Sequence, residues 1–268
     1  AVDTVILVDN SVSSCEAQAL EKLVGEIRTE TPHPAIRLVV NDENLGFGRA
    51  VNRAIRQDME SCGGHEFYMV INNDAEATPA MVERLVSKLE EDRGISLISP
   101  LVISAHGSME YLWYNKVFGS VTLDKIPLSF PVLSGCCLLF RKSLVEKAPL
   151  FDEDFFMYGE DVDLCWRLQK NGSGILCCRD IPVHHEGTGS SHHGGFFYEY
   201  HVARGHVLLA VKTGGGLQGI LLFLMGRVLY LSSRALIRTL RYRTLAPLLA
   251  LLTCWVPMKV VPAMRESR

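Results

Sequence analysis

Apolar and polar positions along the chain fall into alternating blocks. Four short runs rich in β-branched and aliphatic side chains stand out: 5–8 (VILV), 36–40 (IRLVV), 67–71 (FYMVI) and 95–99 (ISLIS). The segments between them, near 15–29, 47–60 and 78–92, carry helical spacing. Thr78 followed by Pro79 predicts a helix start, with a capping hydroxyl and proline at the first helical position. Continuous apolar strands separated by helices predict an α/β fold, with a parallel sheet covered on both faces. Residues 132–140 (VLSGCCLLF) read as a further strand with Gly135 inside it. A glycine there marks either a bulge or a close approach by backbone or ligand.

Each of the first three runs ends in polar residues. Val8 leads into Asp9-Asn10-Ser11, Val40 into Asn41-Asp42-Glu43-Asn44-Leu45-Gly46, and Ile71 into Asn72-Asn73-Asp74. A single polar strand end is ordinary turn chemistry. Three on one edge of a parallel sheet predict a polar crevice beyond the strand ends, where such sheets bind ligands. The oxygen donors of Asn72-Asn73-Asp74 suit Mg²⁺ or Mn²⁺, or a diphosphate; alone, the triplet reads better as a solvated Asx turn before the helix at Thr78. Gly46-Phe47-Gly48 contains G-x-G, but Val51 stands where a dinucleotide loop needs a third small residue, which argues against a nicotinamide enzyme.

Further along, Glu160-Asp161-Val162-Asp163 follows the aromatic run Phe155-Phe156-Met157-Tyr158 and opens a helix that Gly172 ends. Acids in a first helical turn are favoured by the helix dipole, by about 0.3–1 kcal/mol each. The dipole does not require the apolar wall before them. A partly dried carboxylate has a raised pKa, as a general base needs, and the wall would hold an acceptor and exclude water. His184-His185 and His192-His193 lie within ten positions of one another, but no other Cys or His pair has structural-zinc spacing. One histidine completing an oxygen-rich metal site with Asp74 is the better reading.

Composition changes the picture in two places. Of 27 Lys and Arg and 30 Asp and Glu, ten basic residues and one acid lie from Arg204 onward. That leaves 17 basic and 29 acidic residues in the first 203, an acidic body with a basic tail. Arg227, Arg234, Arg238 and Arg241 share one helical face, and the apolar runs 220–225 and 248–252 are each shorter than the roughly 20 residues that span a bilayer. An in-plane helix on an anionic membrane surface is expected, with packing on the body or on a second subunit as the alternative. Nucleic acid is disfavoured, because few aromatics interleave with these arginines. The eight cysteines include Cys136-Cys137 and Cys177-Cys178 inside apolar runs, expected as buried thiols. The chain opens at Ala1 and is apolar by Val5, which reads as a start inside a domain rather than as a signal peptide.

Taken together, D-N-S, N-L-G-F-G-R-A-V-N, N-N-D, F-D-E-D-F-F-M-Y-G-E-D-V-D-L-C-W-R-L-Q-K-N-G and V-H-H-E-G, in that order, resemble family 2 glycosyltransferases. The likeness is to the bacterial rhamnosyltransferase-like branch, over roughly residues 1–212. It implies a GT-A fold, a nucleotide-diphospho-sugar transferase domain at 1–212 with a helical, membrane-surface appendage at 213–268. It implies an inverting, metal-dependent transfer, the best guess being rhamnose from dTDP-rhamnose onto a cell-envelope glycan or lipid-linked acceptor. By the resemblance, Asp161 is the catalytic base with Glu160 beside it. Asp9, Asn44, Gly46, Asn72, Asn73 and Asp74 bind the nucleotide sugar, and Asp74 and His184 hold Mg²⁺ or Mn²⁺, with His185 one position away. Phe156, Tyr158 and Trp166 are expected at the acceptor. The protein is expected to be cytoplasmic and peripheral on the inner face of the cell membrane, with a homo-oligomer left open. Family members carry a strand and helix ahead of the D-N-S strand, so a truncated chain is expected. Asn72 departs from the aspartate common at its position. A catalytically inert sugar-nucleotide-binding or assembly protein is the alternative. A nucleotidyltransferase would want a Gly-rich basic loop near its start, which is not seen.

Overall fold

The computed structural model describes residues 2–31, 33–105, 107–186 and 194–257. The first two predicted strands, β1 (Thr4–Asp9) and β2 (Ala35–Val40), pair in parallel around helix α1 (Ser14–Glu30). Helix α2 (Phe47–Cys62) then leads to β3 (Phe67–Ile71), a short strand β4 (Ala75–Glu76) and α3 (Pro79–Glu91). Thr78 caps α3 as expected, its hydroxyl accepting from the Met81 N–H at 3.2 Å.

The expectation of one parallel sheet does not hold. Strand β3 does not continue the β1–β2 pair; it begins a mixed six-stranded sheet ordered β3, β10 (Cys137–Arg141), β5 (Ile95–Ser104), β11 (Gly174–His185), β4, with β6 (Gly107–Met109) beside β5. Strand β10 inserts antiparallel between β3 and β5, and the parallel partner of β5 is β11. Apolar runs specify burial on both faces but not direction, so a late antiparallel strand is not distinguishable from its neighbours in the pattern. A second small sheet carries β8 (Val121–Thr122), β7 (Leu112–Asn115) and β9 (Ser129–Val132).

The mixed sheet separates two cores. One face packs Leu97, Leu138, Phe140 and Cys177 against Phe151, Phe155 and the apolar side of α4 (Glu160–Lys170). The other packs Ile98, Leu139, Cys137 and Cys178 against Met81, Leu85 and Leu89 of α3. Cys177 and Cys178 therefore enter opposite cores, as alternation along a strand requires, and all eight cysteines are free thiols.

Three helices complete the chain: α5 (Phe196–Thr213), α6 (Leu217–Tyr242) and α7 (Ala246–Thr253). Here the reading of a basic outer face is corrected. Arg227 is fully buried, donating to the carbonyl of Val117 at 2.6 Å, the Tyr114 hydroxyl at 3.1 Å and the His206 carbonyl at 3.2 Å. Arg234 and Arg238 both donate to Glu199 of α5, whose carboxylate is fully buried, at 2.5 and 2.6 Å. A shared helical face was legible; that a buried acid from α5 would claim it was not. The outward face of α6 is instead apolar, with Leu217, Leu221, Met225, Leu229, Leu236 and Leu240 exposed. The short apolar run 220–225 also undercounts it: α6 is one 26-residue helix, long and apolar enough to cross a membrane by length and composition, while the run 248–252 falls in α7.

Candidate active site

The first two polar strand ends knit together. Asn41 donates to Asn10 Oδ1 at 3.0 Å, Asn10 donates to Asn44 Oδ1 at 2.9 Å, and the Leu45 N–H donates to Asn10 Oδ1 at 3.0 Å. Asn44 also accepts from the Gly46 N–H at 2.9 Å, so its side chain shapes the loop that starts α2. Asp9 Oδ1 accepts from the Ser11 N–H at 2.9 Å, while Asp9 Oδ2 and Asn41 Oδ1 are buried and make no hydrogen bond. Buried acceptors without donors are costly unless paired, so these two are candidates to receive a ligand's N–H groups.

Gly46 has φ of +75°, and a Cβ there would strike the carbonyl oxygen of Phe156, which accepts from the Phe47 N–H at 3.0 Å. Gly48 faces Phe151, leaving no room for a side chain. Both glycines of the G-x-G are thus spent on approach to the 151–159 loop, which is why the motif needs no third small residue for a phosphate turn. Asn52, buried one helical turn on, clamps the same loop through both backbone groups of Phe151, at 2.8 and 3.1 Å.

That loop delivers the acids. Tyr158 at φ +67° and Gly159 at φ +101° turn the chain into α4, and the three carboxylates part company. Asp163 is buried and paired with Arg167 Nε at 2.6 Å. Asp161 Oδ2 accepts from the Gly135 N–H at 3.2 Å and Oδ1 from the Val162 N–H at 2.8 Å. Glu160 is buried with Oε2 unpartnered. Burial, and then the charge of Asp161, push the Glu160 carboxyl up to about 8, and burial raises Asp161 as well.

Residues 132–140 do not form one strand. The chain breaks at Ser134-Gly135-Cys136, between β9 and β10, and the break is where the site converges. Gly135 donates to Asp161, and the Cys136 carbonyl accepts from the Asn72 N–H at 2.8 Å. Burial, helped by the charges of Asp161 and Asp74, raises the Cys136 thiol.

Asp74 meets His185, not His184. His185 Nε2 lies 3.0 Å from Asp74 Oδ1 and 3.5 Å from Asn72 Nδ2, while His184 is exposed on the other side of β11. The contact with Asp74 expected of His184 therefore falls to His185, one residue on. The register pairs His185 with Ala75 and His184 with Glu76, so strand alternation makes the choice. Asn73 is exposed. His192 and His193 lie outside the described residues. A carboxylate and an imidazole in contact, with an amide beside them, form a donor set that fits Mn²⁺ or Mg²⁺.

The aromatic wall is completed by a helix that strand-end reasoning missed. Phe156 stacks on His201 at 4.7 Å and meets Phe197 edge-on at 5.9 Å, and Tyr158 meets Tyr198 at 5.2 Å. The run F-F-Y-E-Y-H at 196–201 carried that signal. Trp166, expected at the acceptor, packs on Phe130 at 5.2 Å with Lys116 over its ring at 4.5 Å. It lies two turns into α4, on the side facing the small β7–β9 sheet.

The chain matches the family model of glycosyl transferase family 2 over residues 2–148. It is 27% identical over 239 residues to N-acetylglucosaminyl-diphospho-decaprenol L-rhamnosyltransferase of Mycobacterium tuberculosis (strain ATCC 25618 / H37Rv), covering 77% of each chain. Among solved structures it resembles the mannosyltransferase PcManGT from Pyrobaculum calidifontis in complex with GDP-Man and Mn²⁺. The TM-score is 0.54 and the identity 17%, over 94% of this chain and 64% of that one. It also resembles GalNAc-T7 with UDP, GalNAc and Mn²⁺, with a TM-score of 0.56 and 15% identity, over 76% of this chain and 41% of that one. Both likenesses show the GT-A fold.

Proposed function

Because the chain belongs to glycosyltransferase family 2, we propose that it transfers a sugar from a nucleotide donor with inversion, using Asp161 as base and a divalent metal at Asp74 and His185. The observation that carries this reading is the break at 134–136, which touches Asp161 through Gly135 and Asn72 through Cys136. A proton acceptor and a metal-type donor set then flank one short backbone segment, as a single displacement requires. We take 1–212 as the catalytic domain.

The unpaired acceptors of Asp9 and Asn41 would receive the N–H groups of the nucleotide base. A divalent ion would neutralise the leaving diphosphate. Asp161 takes the proton of the acceptor hydroxyl. Its oxygen then forms a bond to the anomeric carbon from the face opposite the diphosphate, and the carbon–diphosphate bond breaks. Phe156 and Tyr158, held by α5, exclude water and seat the acceptor. Burial and the charge of Asp161 push the Glu160 carboxyl up, which limits the negative charge beside the base.

The mycobacterial relative's name supports rhamnose as the sugar and an N-acetylglucosaminyl-diphospho-polyprenol as the acceptor. A lipid-linked acceptor favours work at the cytoplasmic membrane face. The apolar outer stripe of α6 supports a peripheral, in-plane contact there, since the opposite face of the helix is committed to α5 and the body.

The test is nucleotide release from a panel of sugar nucleotides, with Mn²⁺ or Mg²⁺ and a membrane-lipid extract. Turnover of dTDP-rhamnose, lost in Asp161→Asn, is expected. Turnover of another donor corrects the sugar. Binding without turnover across the panel replaces this reading with an inert binding protein.

A further inference from the structure

A second cluster of metal-type donors lies at the far end of α2. Asp58 and Cys62 are one turn apart at the helix C-terminus. Gly63 and Gly64, both at φ +76°, turn the chain so that His65 folds back over that turn. Asp58 Oδ1, Cys62 Sγ and a ring nitrogen of His65 all lie within 4.8 Å of one another. Sγ to Oδ1 is 3.3 Å, and His65 Nε2 to Oδ1 is 3.5 Å. A tetrahedral zinc centre with arms of about 2.0–2.3 Å has edges of about 3.3–3.8 Å, so the two separations from Oδ1 match, and Sγ to the His65 ring, within 4.8 Å, closes to it on binding. One thiol, one imidazole and one carboxylate form a borderline-soft set that favours Zn²⁺ over Mg²⁺.

Two further observations point to a ligand. His65 Nε2 is buried without a hydrogen bond, an orphan that needs an explanation. Tyr68 also holds the set from behind: its hydroxyl donates to Asp58 Oδ2 at 2.9 Å and accepts from the His65 N–H at 3.2 Å. Tyr68 thus engages Oδ2 and the His65 backbone and leaves Oδ1 and the imidazole to the cluster, the arrangement of an outer-shell partner. The competing contact is Arg37, whose Nη1 donates to Asp58 Oδ1 at 2.9 Å and to Ser61 Oγ at 3.1 Å. Its side chain is 38% exposed, so it can release Oδ1 into solvent.

We propose that Asp58, Cys62 and His65 form a site for a zinc-class ion, with water in the fourth position. As the ion binds, the Cys62 thiol gives its proton to solvent. The site is distinct from the one at Asp74, because β3 separates them by its length, about 17 Å for five residues. The ion would clamp the end of α2 to the start of β3, whose other end carries Asn72-Asn73-Asp74.

Cobalt substitution tests this. The metal-stripped chain carrying Cys15→Ser, which removes the other exposed thiol, is titrated with Co²⁺. A thiolate-to-cobalt charge-transfer band is expected, saturable and displaced by Zn²⁺. Cys62→Ser and His65→Ala should abolish it, His185→Ala should leave it, and Tyr68→Phe should weaken affinity by about 10–100-fold. Zn²⁺ should raise the unfolding midpoint of the parent but not of Cys62→Ser. No thiolate band in the parent, or an undiminished band in folded Cys62→Ser, overturns the proposal.

Discussion

His185 Nε2 sits 3.0 Å from Asp74 Oδ1, while its neighbour His184 faces away from the site. If the pair holds the catalytic metal, the two histidines must differ in their response to mutation. His185→Ala is expected to raise the Mn²⁺ needed for half-maximal activity by at least about 10-fold, the lower range for even an outer-shell partner. His184→Ala should behave as the parent. Equal responses from the two variants would remove His185 from the metal site.

Asp161→Asn keeps the hydrogen-bond acceptor facing Gly135 but loses the base. A fall of about 10²–10⁴-fold in kcat is expected, with donor affinity retained in a fluorescence or calorimetric titration. Loss of donor binding instead would make Asp161 a structural residue.

Glu160 links pH to stability. Its folded pKa, about 8, stands above the ordinary value of 4.5. The folded state therefore holds its proton where the unfolded state has released it, and stability falls as pH rises from 4.5 towards 8. Glu160→Gln carries no such penalty. Denaturant midpoints at pH 5 and pH 8 should draw apart in the parent and stay closer in the variant. The same slope in both would place the titration elsewhere.

Glu199 is the counter-charge for two arginines, with side chains of 16% and 17% exposure. Removing it strands them. Glu199→Ala is expected to cost about 3 kcal/mol, the low end for a buried pair because the arginines reach water, or roughly 6–12 °C in Tm. Replacing all three residues by leucine should recover much of that loss. An unchanged Tm in Glu199→Ala would mean α6 docks without this contact.

The outer stripe of α6 makes a different prediction from a basic face. Binding to vesicles should persist on neutral lipid and depend weakly on salt, since Arg227, Arg234 and Arg238 are engaged inside. Burying one leucine contributes about 1.5–3 kcal/mol, so Leu229→Asp with Leu236→Asp should weaken partitioning by at least about 100-fold. Flotation of labelled chain with phosphatidylcholine vesicles measures it. Binding that requires anionic lipid would return the contact to the remaining arginines.

Local chemistry settled a good deal of this protein without its fold. Helix α2 begins at the expected residue and α1 and α3 within one, because caps, proline and amphipathic spacing act within a few residues of where they are read. Acids at the start of α4, free buried thiols and polar strand ends followed from the same short-range rules. Tertiary structure decided what those residues face. Strand direction, the choice of His185 over His184, the spending of Trp166 on Phe130, and the capture of the arginine face by Glu199 all depend on partners far along the chain. Gly135 and Asp161 are 26 positions apart, Arg234 and Glu199 35, and Phe151 and Asn52 99. Periodicity shows that a face will be covered. Only packing, where a buried charge must find its counter-charge and a buried amide its carbonyl, selects the residue that covers it.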